Sequence, residues 1–181
     1  MWRHVDANGV PPSPKPEYIA AFKAYFTNDA TNEQLIQGLN HGPELIDSSL
    51  VCIGISISLA TRKKIANDIK LVEEFILEYI HSCIAKFGLV HWCPDFNQTA
   101  YSVYNSACYL ITLNTFKQVL ICYAYDYLSP VTHYAQDMIF MTKLYDHFVH
   151  YCMYQIFKME CRHPESVQEM SETNPQYQNY K

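Results

Sequence analysis

Residues 99–128 read TAYSVYNSACYLITLNTFKQVLICYAYDYL, and the folding of this stretch decides the rest of the chain. Tyr101, Tyr104, Cys108, Ile111, Thr115, Val119, Cys122 and Tyr125 recur at threes and fours, the repeat of one face of an α-helix. No proline or glycine interrupts the run. From Ala107 to Leu113 the apolar residues lie nearly all round, which predicts a helix buried on every side. Such a helix needs amphipathic helices around it.

The flanking sequence supplies them. Ser129-Pro130 has the form of an N-cap followed by proline at the first helical position. It predicts a last helix reaching about Cys161 and stopped by Pro164. On that helix Tyr134, Met138, Met141, Tyr145, Phe148, Cys152, Gln155 and Met159 step by four and three, a heptad-like stripe. Phe140, Leu144, Tyr151 and Tyr154 make a second stripe. One helix with two apolar stripes needs two partners, and the second could be another part of this chain or another chain.

Upstream, Ile65, Ile69, Val72, Ile76, Tyr79, Ile80, Cys83, Ile84 and Phe87 give the clearest amphipathic pattern, with Gly88 placed to cap it and Pro94 breaking the connection over 89–98. Pro16 fits a helix start, and Tyr18, Ile19, Phe22, Tyr25 and Phe26 follow at helical spacing. Thr31 with Gln34 has the form of a capping box, opening a short helix through Leu39. Gly42 is expected to end that helix and Pro43 to begin another. The ambiguous segment is Leu50–Leu59. Ile53, Ile55, Ile57 and Leu59 alternate as in a strand, while Cys52, Ser56 and Ala60 would form a small-residue strip on a helix. With no second strand-like run to pair with it, the helical reading is favoured. Together these elements predict an all-α, single-domain bundle of about six to seven helices with a buried central helix and a long C-terminal helix. The domain spans 16–163, between a proline-rich tail at 1–15 and a polar tail at 164–181.

Composition narrows the function. Only 17% of the 181 residues are charged and the formal net charge is −5, without the basic stripe of a general nucleic-acid binder. The densest basic cluster, Arg62-Lys63-Lys64, reads as a solvated helix end. Five glycines are too few for a turn-rich β-sandwich or barrel. Of seven cysteines, Cys52, Cys83, Cys108, Cys122 and Cys152 sit within apolar helical patterns, as free thiols do when used as small hydrophobes. With no signal-peptide pattern at the N-terminus, this points to a reducing, intracellular compartment, cytoplasmic or nuclear. Asn97-Gln98-Thr99 matches a glycosylation acceptor, a triplet that arises often by chance. Leu50–Ala60 and Val119–Ala124 are the longest apolar runs and fall short of the roughly 18–20 residues that span a bilayer, so no membrane span is expected.

Chemistry-bearing residues do not assemble into a motif. His81-Ser82-Cys83, His91-Trp92-Cys93 and Cys161-Arg162-His163 lack the spacing of paired zinc ligands. Glu78 with His81 forms a single Glu-x-x-His, where a di-iron bundle needs two. Asp146, His147 and His150, and His133 with Asp137, are explained as hydrogen-bonded surface groups. Neither a phosphate loop nor a nucleophile elbow is present. No catalytic residue, metal or cofactor is expected.

The expectation is therefore a non-catalytic module that binds a partner protein's helix or self-associates. Aromatic and Met side chains are enriched in interface cores, and the residues assigned to partner binding are Phe140, Leu144, Tyr145, Phe148, Tyr151 and Tyr154. A buried central helix ringed by amphipathic ones is similar in architecture to the Bcl-2-like fold, which would imply a groove-type regulator. The likeness stops there, because Val90-His91-Trp92-Cys93 does not match that family's Asn-Trp-Gly-Arg motif. A small metal-binding protein or enzyme using His, Glu and Asp on facing helices is the other alternative.

Overall fold

The computed structural model describes residues 13–27, 29–52, 74–122, 134 and 136–166, and every regular element among them is helical. Helix α1 (Pro16–Tyr25) begins at its proline, and α2 (Asn32–His41) begins at the capping box. There Thr31 Oγ1 accepts from the Gln34 amide while Gln34 Oε1 accepts from the Thr31 amide. Helix α3 (Glu74–Ala85) follows, then α4 (Val103–Ile121). The last helix, α5, runs through three consecutive segments, Met138–Tyr145, Asp146–Met153 and Tyr154–Arg162. The all-α class is thus shown. The expected count of six to seven helices draws on 53–73 and 123–133, which lie outside the described residues, as do the strand-or-helix question at 53–59 and the Ser129-Pro130 cap.

Helix α4 is the hub, packing against α2, α3 and the first segment of α5. Its buried side chains occupy several faces: Tyr104, Ala107, Cys108, Ile111, Leu113, Val119 and Leu120. Two buried threonines sit among them, and each donates to the carbonyl one turn back, Thr112 to Cys108 at 2.8 Å and Thr115 to Ile111 at 2.7 Å. This disposes of hydroxyls that would otherwise cost free energy in the core. Phe22 of α1 meets Tyr104 edge-on at 5.3 Å and stacks on Phe26 at 5.1 Å, and Phe26 tilts against Phe87 at 5.3 Å. These rings tie α1 to α4 and to the end of α3, and each buried aromatic of this kind contributes about 1.5–3 kcal/mol.

Three helix ends differ from, or sharpen, the sequence expectations. Gly88 takes φ +66°, and its amide bonds Ala85 O while the Leu89 amide bonds Ile84 O. That is the glycine-capped end the sequence predicted, with Ile84 and Leu89 both buried on either side of it. Gly42 also ends its helix, but with extended backbone at φ −69°. Its requirement is for space: a Cβ there would lie 2.4 Å from Gly38 O. Pro43 does not begin a helix. The chain stays extended because the Leu45 amide bonds Ala85 O at 3.0 Å, leading to a short 3-10 turn at Ser48–Leu50 capped by Asp47. Helix α4 starts at Val103 rather than Thr99. Ser102 is its N-cap, and Thr99 belongs to the turn that precedes it, which runs from the buried Asp95 out to the surface.

That connection, from Phe87 to Phe96, is mostly buried, although connections ordinarily run over the surface. Its polar groups find partners inside. Trp92 Nε1 donates to Cys108 O at 3.0 Å, and the Cys52 amide donates to Val90 O at 2.8 Å. Asn105, buried in the first turn of α4, accepts from the Asp95 amide at 2.8 Å and donates to the carbonyls of Asp95 and Thr99 at 3.0 and 2.8 Å. Phe96 then reaches across to Phe157 and Tyr154 on the last segment of α5, at 5.4 and 6.2 Å. The connection is a structural strap between the hub and the long helix.

Candidate interaction face on the long helix

Helix α5 starts at an aspartate. Asp137 Oδ1 accepts from the Phe140 amide at 2.9 Å, and the Asp137 carbonyl takes the first helical bond from Met141. One continuous helix from near Pro130 is corrected: the Asp137 amide closes a tight turn onto Tyr134 O and ψ at Asp137 is 87°, so a break precedes Met138, while the Ser129-Pro130 cap itself lies outside the described residues.

The middle segment, Asp146–Met153, is a π-helix. Its i→i+5 bonds add a residue to each turn, and this decides which side chains face the core. Met141, Tyr145, Val149 and Met153 are all buried, at a constant step of four. In an α-helix that step drifts by roughly 40° each time and would carry Met153 off the face. The wider turn cancels the drift. A four-and-three stripe through Phe148 and Cys152 presumes α winding throughout. The observed winding turns Phe148 outward and brings Val149 and Met153 in.

The six residues assigned to partner binding therefore divide. Tyr145 is 4% exposed and meets Tyr109 edge-on at 5.1 Å. Phe140 and Tyr154 are half-buried; Phe140 rests on Tyr134 at 4.9 Å, and Tyr154 packs on the core with Lys158 over its ring. Leu144, Phe148 and Tyr151 are exposed, at 46%, 41% and 58%. Ile139, which the sequence reading did not select, is more exposed still at 71%, and Met138 accompanies it. A hydrogen-bond chain ties the first segment of α5 to α4. Thr142 donates to Met138 O at 2.7 Å, so the 2.7 Å contact with Tyr109 is completed by the tyrosine hydroxyl donating to Thr142.

Polar groups lie next to the tyrosines of this helix. The His147 ring stacks on Tyr151 at 5.5 Å and 19°, and His147 Nε2 lies 3.6 Å from Cys152 Sγ. His150, half-buried with its ring against Tyr145, is held below the ordinary imidazole value by burial, against the opposing pull of Asp146.

The remaining titratable residues do not converge. Among the described residues, no three His, Cys, Asp or Glu side chains come together in a way that could hold a metal ion. Glu78 is exposed on α3 while Cys83, on the same helix, is buried. His91 contacts Cys52 O at 3.1 Å, whereas Cys93 is buried in the strap. Cys161 and His163 are exposed at the end of α5. His133 lies outside the described residues, and Asp137 serves as the helix cap. Burial raises the thiols of Cys83, Cys93 and Cys108, with Cys93 pushed up to about 12 and the nearby Asp95 adding to the effect. These three are inert packing groups. No helix among the described residues is long and apolar enough to cross a membrane.

The buried node of Asp95 and Asn105 escaped the sequence reading. Its one readable sign was the pair Ser102 and Asn105 ahead of an apolar run, a capping arrangement. No protein-family model, curated protein or solved structure matches the chain.

Proposed function

We propose that the chain is a non-catalytic, intracellular protein–protein interaction module that engages a partner helix, or a second copy of itself, through the outer side of α5. The observation that carries this reading is the exposure of Leu144, Phe148 and Tyr151 on a helix whose Met141, Tyr145, Val149 and Met153 are buried in the core. Side chains of this size, set on a rigid element, supply contact area at low ordering cost, and aromatic residues are enriched where interfaces carry their energy. The intracellular part rests on the thiols: Cys83, Cys93 and Cys108 are used as core hydrophobes and all seven cysteines are free.

The test is a paired crosslinking and sedimentation experiment. A photo-crosslinking residue at Tyr151 should trap a protein, or a second copy, far more efficiently than the same residue at Lys23, which is exposed on α1. The double substitution Leu144→Asp with Phe148→Asp should abolish the trapped species while the circular dichroism spectrum stays helical. Equal trapping from Tyr151 and Lys23, or trapping unaffected by the double substitution, would refute the assignment.

A further inference from the structure

We propose that Cys152 is a site of covalent thiol modification, with the His147 imidazole as its proton acceptor and soft electrophiles or hydroperoxides as its reactants. The two side chains meet at 3.6 Å, Sγ to Nε2, five residues apart. On an α-helix residues five apart diverge by about 140° at 100° per residue. The π segment, with its i→i+5 bonds, brings them to one side. The ring of Tyr151, stacked on His147 at 5.5 Å, fixes the imidazole plane so that Nε2 stays turned to the sulfur.

Three comparisons within the chain set Cys152 apart. Cys83, Cys93 and Cys108 are buried. Cys52 and Cys122 are exposed, but their sulfurs are engaged otherwise, Cys52 donating to Leu50 O and Cys122 accepting from Gln118 Nε2. Cys161 is exposed near the end of the same helix, more open than Cys152. Only a thiol that hands its proton to a base becomes the nucleophile, so accessibility alone would favour Cys161 and a poised base favours Cys152.

With an alkyl iodide, sulfur forms a bond to carbon, the carbon–iodine bond breaks, iodide leaves, and the proton rests on Nε2 before passing to solvent. With a hydroperoxide, sulfur gives up two electrons and forms a bond to the distal oxygen. The O–O bond breaks, and the departing oxygen takes the Nε2 proton as water or an alcohol, leaving a sulfenic acid.

The experiment is limited alkylation of the folded full chain with iodoacetamide, read by peptide mass spectrometry as the ratio of Cys152 to Cys161 modification. Near neutral pH the ratio should exceed one several-fold. The exposed His147 can be replaced without touching the core, and His147→Gln should bring the ratio down to one or below. A ratio at or below one in the unaltered chain, or a ratio that His147→Gln leaves unchanged, overturns the proposal.

Discussion

Asn105 illustrates how much one side chain can fix. It sits at the start of the hub helix, 1% exposed, and answers three backbone groups of a connection that has left the solvent. A buried amide or carbonyl without a partner carries its full desolvation penalty. Asn105→Ala would orphan the buried Asp95 amide and remove one of the two bonds at each of the Asp95 and Thr99 carbonyls, which keep those from the Gln98 and Ser102 amides. The expected loss is about 3 kcal/mol of stability, read as a lower urea midpoint. Asn97→Ala, an exposed position in the same turn, should stay within about 0.5 kcal/mol of the parent. A small effect at Asn105 would mean that the strap is hydrated rather than buried. Beyond its place three residues after the capping Ser102, nothing in the sequence distinguishes Asn105 from an ordinary polar residue of a helical first turn. Its partners lie six and ten residues away, in a loop whose path no periodicity describes.

At the scale of elements, the legible parts were those governed by local chemistry. The capping box at Thr31, the proline start at Pro16 and the glycine end at Gly88 each depend on a few neighbouring residues, and each stands where the sequence put it. The centre of α4 was legible for the same reason, because apolar residues all round leave no solvent face. The start and winding of α5 were not, because they answer to packing. Met141, Tyr145, Val149 and Met153 all fit one core, and the helix widens to bring them there. Read at a step of four, those residues name the buried side; read as a heptad, they do not. This widening also half-buries His150, and a consequence follows for pH. The fold disfavours its protonated form, so in the unfolded chain His150 binds a proton first as pH falls below about 6.5. The unfolded state then holds more protons and stability falls with pH, until the folded-state imidazole is protonated as well. This contribution is present in full above the unfolded value and lost on acidification. Thermal midpoints should drop across that window, and His150→Gln should make the drop shallower. An identical profile in the variant would assign the acid sensitivity to other groups.

Across the whole molecule, one helix serves two masters. The inward side of α5 closes the core over α4, while the outward side carries exposed Leu144, Phe148 and Tyr151. The composition alone could not separate these duties, since both sides are rich in the same residue types and a soluble surface always retains much apolar area. The winding of the helix separates them, and neighbouring positions acquire opposite roles. Tyr145→Asp would place a charge in the core beside Tyr109, with a destabilisation above about 4 kcal/mol and loss of the cooperative helical transition. Phe148→Asp, three residues on, puts its carboxylate into water and should leave the thermal transition within a few degrees of the parent. The two melting curves, recorded by circular dichroism under one buffer, decide the register. If both substitutions unfold the protein, the helix follows the heptad and Phe148 belongs to the core with Tyr145. If the curves separate as expected, any loss of association caused by Phe148→Asp is a property of the surface and not of the fold.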